Sequence, residues 1–190
     1  MYQIVDLLVG LASAVVAGSC LMLCYFDFFK INLGRAHGLF GSQIASFLLS
    51  ATNWLTLPIR KVIQNTGKVN LVYLVSGYLI VVAKIIVLSL FSHTLFSELS
   101  RLLLPIFFGA LIEYVQLFLS IMSGITFLFV ILSWISPSSP SYAVAAHILE
   151  PLLEQIRKRM PSSGGFDFTP LVLLIIIKVL QIVVSNLRWA

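Results

Sequence analysis

Four stretches of this chain are each long and apolar enough to cross a lipid bilayer, and no other feature constrains its fold as strongly. A hydrocarbon core about 30 Å thick needs roughly 20 predominantly apolar residues in an α-helix. Residues 4–26, 71–91, 112–135 and 171–187 meet that requirement. Inside lipid, a run of this length can satisfy its own backbone N–H and C=O groups as a helix. The predicted fold class is therefore all-α: a polytopic membrane protein with four transmembrane helices.

Composition closes the alternatives. Of 190 residues, 59% are hydrophobic and 10% charged, whereas soluble domains carry about 45–50% and about 25%. Disorder needs low hydrophobicity and high charge, the reverse of this chain. Seven acidic residues and three histidines leave little material for a catalytic or metal-binding constellation. No Walker loop, nucleophile elbow or dinucleotide fingerprint occurs. The expectation is a protein that is not an enzyme and takes no cofactor or metal. His147 and Glu150 stand three apart on one helix face but lack the converging ligands that zinc or general-base work would need. Cys20 and Cys24, one turn apart in the first span, read as small packing residues rather than a disulfide framework.

The boundaries need care in two places. The apolar material of the third span starts early, at residue 102, and is punctuated by Pro105 and Gly109. Residues 102–110 read as a short helix or hairpin at the interface, with the span beginning at 112; one long tilted helix is the alternative. The first span has no Lys or Arg before Lys30 and is too long for a signal-peptide core, so it reads as a span that is not cleaved.

Charge sets the orientation. Lys30, Arg35, Arg60, Lys61 and Lys68 lie between spans one and two, and Arg157, Lys158 and Arg159 between spans three and four, eight in all. The opposite side holds Arg101 and Arg188. By the positive-inside rule both large loops are cytoplasmic and both termini periplasmic. The +5 net charge thus sits in loops beside membrane, which points to anionic lipid headgroups and not to nucleic acid. Arg60, Lys61, Arg157, Lys158 and Arg159 are the candidate headgroup contacts.

The two loops resemble each other. At a shift of 97 positions, Leu55, Ile59, Arg60, Lys61, Gly67, Leu74 and Val75 fall on Leu152, Ile156, Arg157, Lys158, Gly164, Leu171 and Val172. Two units, 1–97 and 98–190, then each read as span, amphipathic segment, Gly-containing turn, span, in the same sense. That is a parallel repeat about an axis along the membrane normal. The amphipathic segments, 44–63 and 142–160, have the pattern of cytoplasmic interfacial helices with a basic end. Pro58 and Pro151 are expected to interrupt and bend them. Pro161-Ser162-Ser163-Gly164-Gly165 breaks the chain. Thr169 is the expected N-cap of the fourth span, with Pro170 at its first helical position and Asp167 near the positive end of its dipole.

These loop residues carry a family resemblance. Ile131-Leu132-Ser133-Trp134-Ile135-Ser136-Pro137, Leu149-Glu150-Pro151-Leu152-Leu153, Ile156-Arg157-Lys158-Arg159-Met160-Pro161 and Gly164-Gly165-Phe166-Asp167-Phe168-Thr169-Pro170 resemble the signature of the YggT family. In the first half, Leu57-Pro58-Ile59-Arg60-Lys61-Val62-Ile63 is similar, while the glycine element stands as Gly67-Lys68-Val69-Asn70. The family-motif residues are Pro151, Gly164, Gly165, Asp167 and Pro170. The resemblance implies a small bacterial inner-membrane protein without established enzymatic activity and without catalytic residues to carry over. It also implies a link to osmotic or salt-stress tolerance; relatives are linked to division-site or nucleoid organisation and to assembly of photosynthetic membrane complexes.

Physics alone singles out three ionisable residues within the spans. A lysine near the middle of a transmembrane helix costs about 2.5–3.5 kcal/mol on insertion scales, so it pairs, lines a wet cavity or snorkels. Lys84 lies within reach of Glu113, and a pair between them would fix how the halves pack; snorkelling is the alternative. Lys178 lies nearer mid-span, with Asp27 as one partner it could reach. Two functions stay open. One is a non-enzymatic protein that organises or stabilises a membrane process, with membrane-protein partners or a second copy of itself. The other is a small transporter or channel component for ions or osmolytes.

Overall fold

In the computed structural model, which describes residues 2–33, 38–61, 63, 70–91, 99–159 and 168–187, the apolar runs are helices, and two further helices lie in the segments between them. The helices are α1 (Tyr2–Phe29), α2 (Gly38–Arg60), α3 (Leu71–Phe91), α4 (Leu99–Ile135), α5 (Pro140–Arg157) and α6 (Thr169–Asn186). No strand occurs among the described residues. Four of the helices, α1, α3, α4 and α6, contain apolar windows long enough to span a bilayer: Gln3–Phe29, Leu71–Leu90, Ile106–Ile135 and Thr169–Asn186. The chain is an all-α polytopic membrane protein. Its outer surface fits that class, because α1 exposes Ile4, Leu7, Leu8 and Leu11, and α6 exposes Ile175, Val179, Ile182 and Val183.

The ends of the elements follow local chemistry. At the end of α1, Lys30 adopts φ 55°, and the Ile31 N–H donates to the Phe26 carbonyl at 2.8 Å. This is the left-handed closure usually given to glycine, in which a Cβ is strained. Lys30→Gly is therefore expected to stabilise the fold by about 1 kcal/mol, read as a higher thermal midpoint in detergent; an unchanged or lower midpoint would contradict it.

Three boundaries differ from the sequence expectation. Residues 102–110 form neither a separate interfacial helix nor a hairpin: α4 runs unbroken from Leu99 to Ile135, the alternative of one long helix. Packing holds this stretch helical. Ala110 is fully buried against Val81 and Ala17, and the Tyr78 hydroxyl donates to the Phe107 carbonyl at 3.0 Å. Pro58 and Pro151 interrupt nothing. Pro58 falls in the last turn of α2, and α5 continues through Pro151 to Arg157. At α6 the N-cap is Phe168 rather than Thr169. The Phe168 carbonyl accepts from Leu171 and Val172 at 3.1 and 3.2 Å, so Thr169 and Pro170 enter the first turn and are buried there.

A 37-residue α4 is about 55 Å long at helical rise, far more than a hydrocarbon core needs when upright. Its contacts agree with an oblique course. Residues 107–114 meet α3 through Tyr78, Lys84 and the Leu74 carbonyl, while Phe118 meets Tyr25 and Ile121 meets Gly18 of α1. Successive stretches of one helix thus pass across the α1/α3 pair. Against α6, α4 pairs lengthwise, with Ser120 on Gln181.

Among the described residues, the two largest packing layers hold most of this arrangement. In the larger, Met22, Tyr25 and Phe26 of α1 meet Leu119, Met122 and Phe129 of α4, Ile148, Leu149 and Leu153 of α5, and Leu173 and Ile177 of α6. The buried Tyr25 hydroxyl donates to the Ile148 carbonyl at 2.8 Å, tying α5 to α1. The smaller layer joins Ala17, Val81, Val82, Ala110 and Tyr114. In lipid, helix association relies on close packing over small residues. Here Gly77 lies against the Tyr114 ring, whose hydroxyl donates to the Leu74 carbonyl at 3.2 Å. Cys20 and Cys24 are free thiols buried within α1.

Candidate functional site

A polar track runs along the third span. Glu113, Gln116 and Ser120 stand three and four residues apart, so they share one face of α4. They lie inside its 30-residue apolar window, where polar side chains cost free energy unless they find partners.

Each flank of this track meets a different helix. On one side the Lys84 ammonium of α3 donates to Glu113 Oε1. Their side chains are 19% and 26% exposed, so the pair is neither sealed in the core nor free of it. Gly10, Ser13 and Ala14 of α1 complete a cavity of about 160 Å³ around them, its floor carrying Gln116 and Ser120. On the other side α6 presents Lys178, Gln181 and Ser185, again three and four apart on one face. Gln181 Nε2 donates to Ser120 Oγ at 3.2 Å. With Gln116 and Ile182 these residues line a groove of about 340 Å³. Gln116 and Ser120 belong to both cavities.

Charge is unevenly shared along the track. Among the described residues, Glu113 is the single carboxylate lining either cavity, and it holds Lys84. Lys178 takes part in no ion pair among the described residues. Asp27, the partner the sequence offered to Lys178, is engaged elsewhere: Asn70 Nδ2 donates to its Oδ2 at 2.7 Å, joining the end of α1 to the start of α3.

Several basic residues of the connecting segments lie at the ends of α2 and α5. Arg60 donates to the Tyr73 hydroxyl at 2.8 Å and lies over that ring at 5.5 Å, so part of its charge is spent on packing α2 against α3. Lys61, Arg157, Lys158 and Arg159 are exposed, and Lys158 pairs with Glu154 at 3.1 Å. His147 lies 3.4 Å from Glu150, one turn apart on α5. Among the described residues no three His, Cys, Asp or Glu side chains converge as a metal site would need. Pro151 lies inside α5 and Pro170 is buried at the start of α6; Gly164, Gly165 and Asp167 fall outside the described residues.

Sequence reasoning singled out Lys84, Glu113 and Lys178 but missed Gln116, Ser120, Gln181 and Ser185 as one set. The signal was present. Polar residues at three- and four-residue spacing occur in two spans that follow each other in the chain, and such neighbours commonly pack together.

Four apolar helices, two further helices between them and an intramembrane polar track define a helical membrane protein of the small polytopic class. The CCB3/YggT family profile matches residues 108–188. The chain is 30% identical over 186 residues to the uncharacterized protein PA0392 of Pseudomonas aeruginosa, a match covering 94% of this chain and 92% of that one. It is 30% identical over 166 residues to the uncharacterized protein YggT of Escherichia coli, covering 85% and 82%. An uncharacterized Vibrio alginolyticus protein is 28% identical over 147 residues, covering 77% and 78%. No solved structure matches. The chain belongs to the YggT family.

Proposed function

We propose that this YggT-family chain is a non-enzymatic protein of the bacterial inner membrane that organises or stabilises a membrane process, with a part in tolerance of osmotic or salt stress. Both termini face the periplasm and the segments bearing α2 and α5 face the cytoplasm, as two co-oriented repeats. One observation carries the reading: α2 and α5 present opposite kinds of surface. α5 buries Val144, Ala145, Ile148, Leu149 and Leu153 and turns Glu150, Glu154, Arg157 and Lys158 outward. α2 carries no charge between Gly38 and Ile59 and leaves Leu39, Phe47, Trp54 and Leu57 between 58% and 84% exposed. An apolar face beside exposed cations suits contact with a lipid leaflet or another membrane protein. It offers no chemistry of its own.

Deleting the gene is expected to lower survival after hyperosmotic salt shock, and a plasmid copy should restore it. A Phe47→Ser/Trp54→Ser copy should reach the membrane at normal level yet fail to restore. Unchanged survival on deletion, or full restoration by that copy, would overturn the reading.

The polar track supports a second reading, a transporter or channel component for ions or osmolytes, because charged residues inside spans commonly line solute pathways. Flux through proteoliposomes that falls with the Lys84→Gln/Glu113→Gln double variant would favour it; absence of flux from the unaltered protein would dismiss it.

A further inference from the structure

We infer that the groove between α4 and α6 is an anion-binding site that takes a carboxylate or phosphate group. The inference is independent of the stress-tolerance reading. It starts from an imbalance: the track brings two lysines and one glutamate together, and Lys84 occupies the glutamate. Lys178 stands nine residues from Thr169 and eight from Asn186, at the middle of α6. An ammonium at that position costs free energy in lipid unless an anion or water meets it.

The rest of the groove is built for such a guest. Gln181 and Ser185 follow Lys178 on the same face of α6, rising one and two turns toward its Asn186 end. Gln116 and Ser120 face them from α4. The Lys178 ammonium, the Gln116 carboxamide, the Ser120 hydroxyl and the second N–H of Gln181 supply hydrogen-bond donors, while the Ser185 hydroxyl donates to the Ile182 carbonyl of its own helix at 2.8 Å; no carboxylate among the described lining residues would repel an anion. Snorkelling alone would leave this ladder without purpose, since a lysine stem reaches an interface without four polar neighbours. A volume of about 340 Å³ lies at the small end of ligand sites. The groove is edged by Ile182, 61% exposed. Ser185 lies one residue from the Asn186 end of α6, so the groove reaches that end of the span, where the headgroup of an anionic lipid with its chains left in the bilayer, or a small free anion, can enter; both present the same oxygens.

The test reconstitutes the full chain in nanodiscs of phosphatidylcholine alone, or with phosphatidylglycerol, and reads thermal midpoint and lipid retention by native mass spectrometry. In parallel, phosphatidylcholine discs receive millimolar inorganic phosphate or acetate. The expected result is a raised midpoint with retained phosphatidylglycerol, or with the soluble anion, most of it lost in Lys178→Gln. The first outcome assigns a lipid source and the second a free anion. Lys158→Gln/Arg159→Gln should keep the increment, separating the groove from the loop cations. Should Lys178→Gln fail to fold, Ser185→Leu, which fills the groove and keeps the charge, must remove the increment instead. No increment with any anion, or an increment untouched by the groove variants, overturns the site.

Discussion

Glu113→Gln is expected to lower the folded fraction of the purified protein by about 1–2 kcal/mol, a factor of roughly 5–30. Removing the carboxylate strands the Lys84 ammonium inside an apolar window, and a stranded charge costs more than the pair contributes. The two side chains keep 19% and 26% of their exposure, so solvent screens part of the loss and the larger penalties of sealed pairs do not apply. The Lys84→Gln/Glu113→Gln double variant should recover most of the loss, giving a coupling of about 1–2 kcal/mol in a double-mutant cycle. The readout is monodisperse yield and midpoint in detergent. A Glu113→Gln protein that matches the unaltered chain would show that the pair does not hold the halves together.

The second large effect is expected at Gly77. A Cβ there would lie within 2.9 Å of two Tyr114 ring carbons and closer still to the hydroxyl. Real Cβ atoms do not approach that far, so either the ring leaves its bond to the Leu74 carbonyl or α3 and α4 separate. Gly77→Ala should cost about 1–3 kcal/mol, the range of overpacked cores, and Gly77→Leu should abolish the folded form. Gly77→Ala/Tyr114→Phe should recover part of the loss, because it removes the closest atom. Gly18 supplies the contrast. Its Cβ would meet the tip of Ile121 at 2.9 Å, and a rotatable methyl can turn aside, so Gly18→Ala should stay within about 1 kcal/mol. Equal effects at the two positions would contradict the close α3/α4 contact.

These positions also mark how far the sequence could be read. The spans were legible because composition dictates them: a run such as 171–187 has no soluble alternative. Charge spacing was legible too, since Lys84 and Glu113 each needed a partner and few candidates existed. The course of residues 102–110 was not. Pro105 and Gly109 carry the punctuation of a boundary, and what keeps the helix continuous is contact with Tyr78, Val81 and Ala17, far away in the chain. Asp27 misled for a related reason. Lys178 and Asn70 both suit a carboxylate, and the pairing of α1 with α3 decides in favour of Asn70. The shared face of α4 and α6 depends on how two helices rotate against each other, which neither helix states alone. The left-handed turn at Lys30 was likewise hidden, because it falls where glycine would have announced it.

Everything rests on four crossings with both basic segments on one side of the membrane. The most direct measurement places a single cysteine, in a chain with Cys20 and Cys24 replaced by Ser, at Gln3, Lys61, Arg159 or Asn186, and labels intact cells with an impermeant maleimide. Four crossings with the basic segments in the cytoplasm predict labelling at Gln3 and Asn186, and protection at Lys61 and Arg159 until the membrane is opened. Labelling of Arg159 in intact cells, or of one of Gln3 and Asn186 without the other, would contradict them.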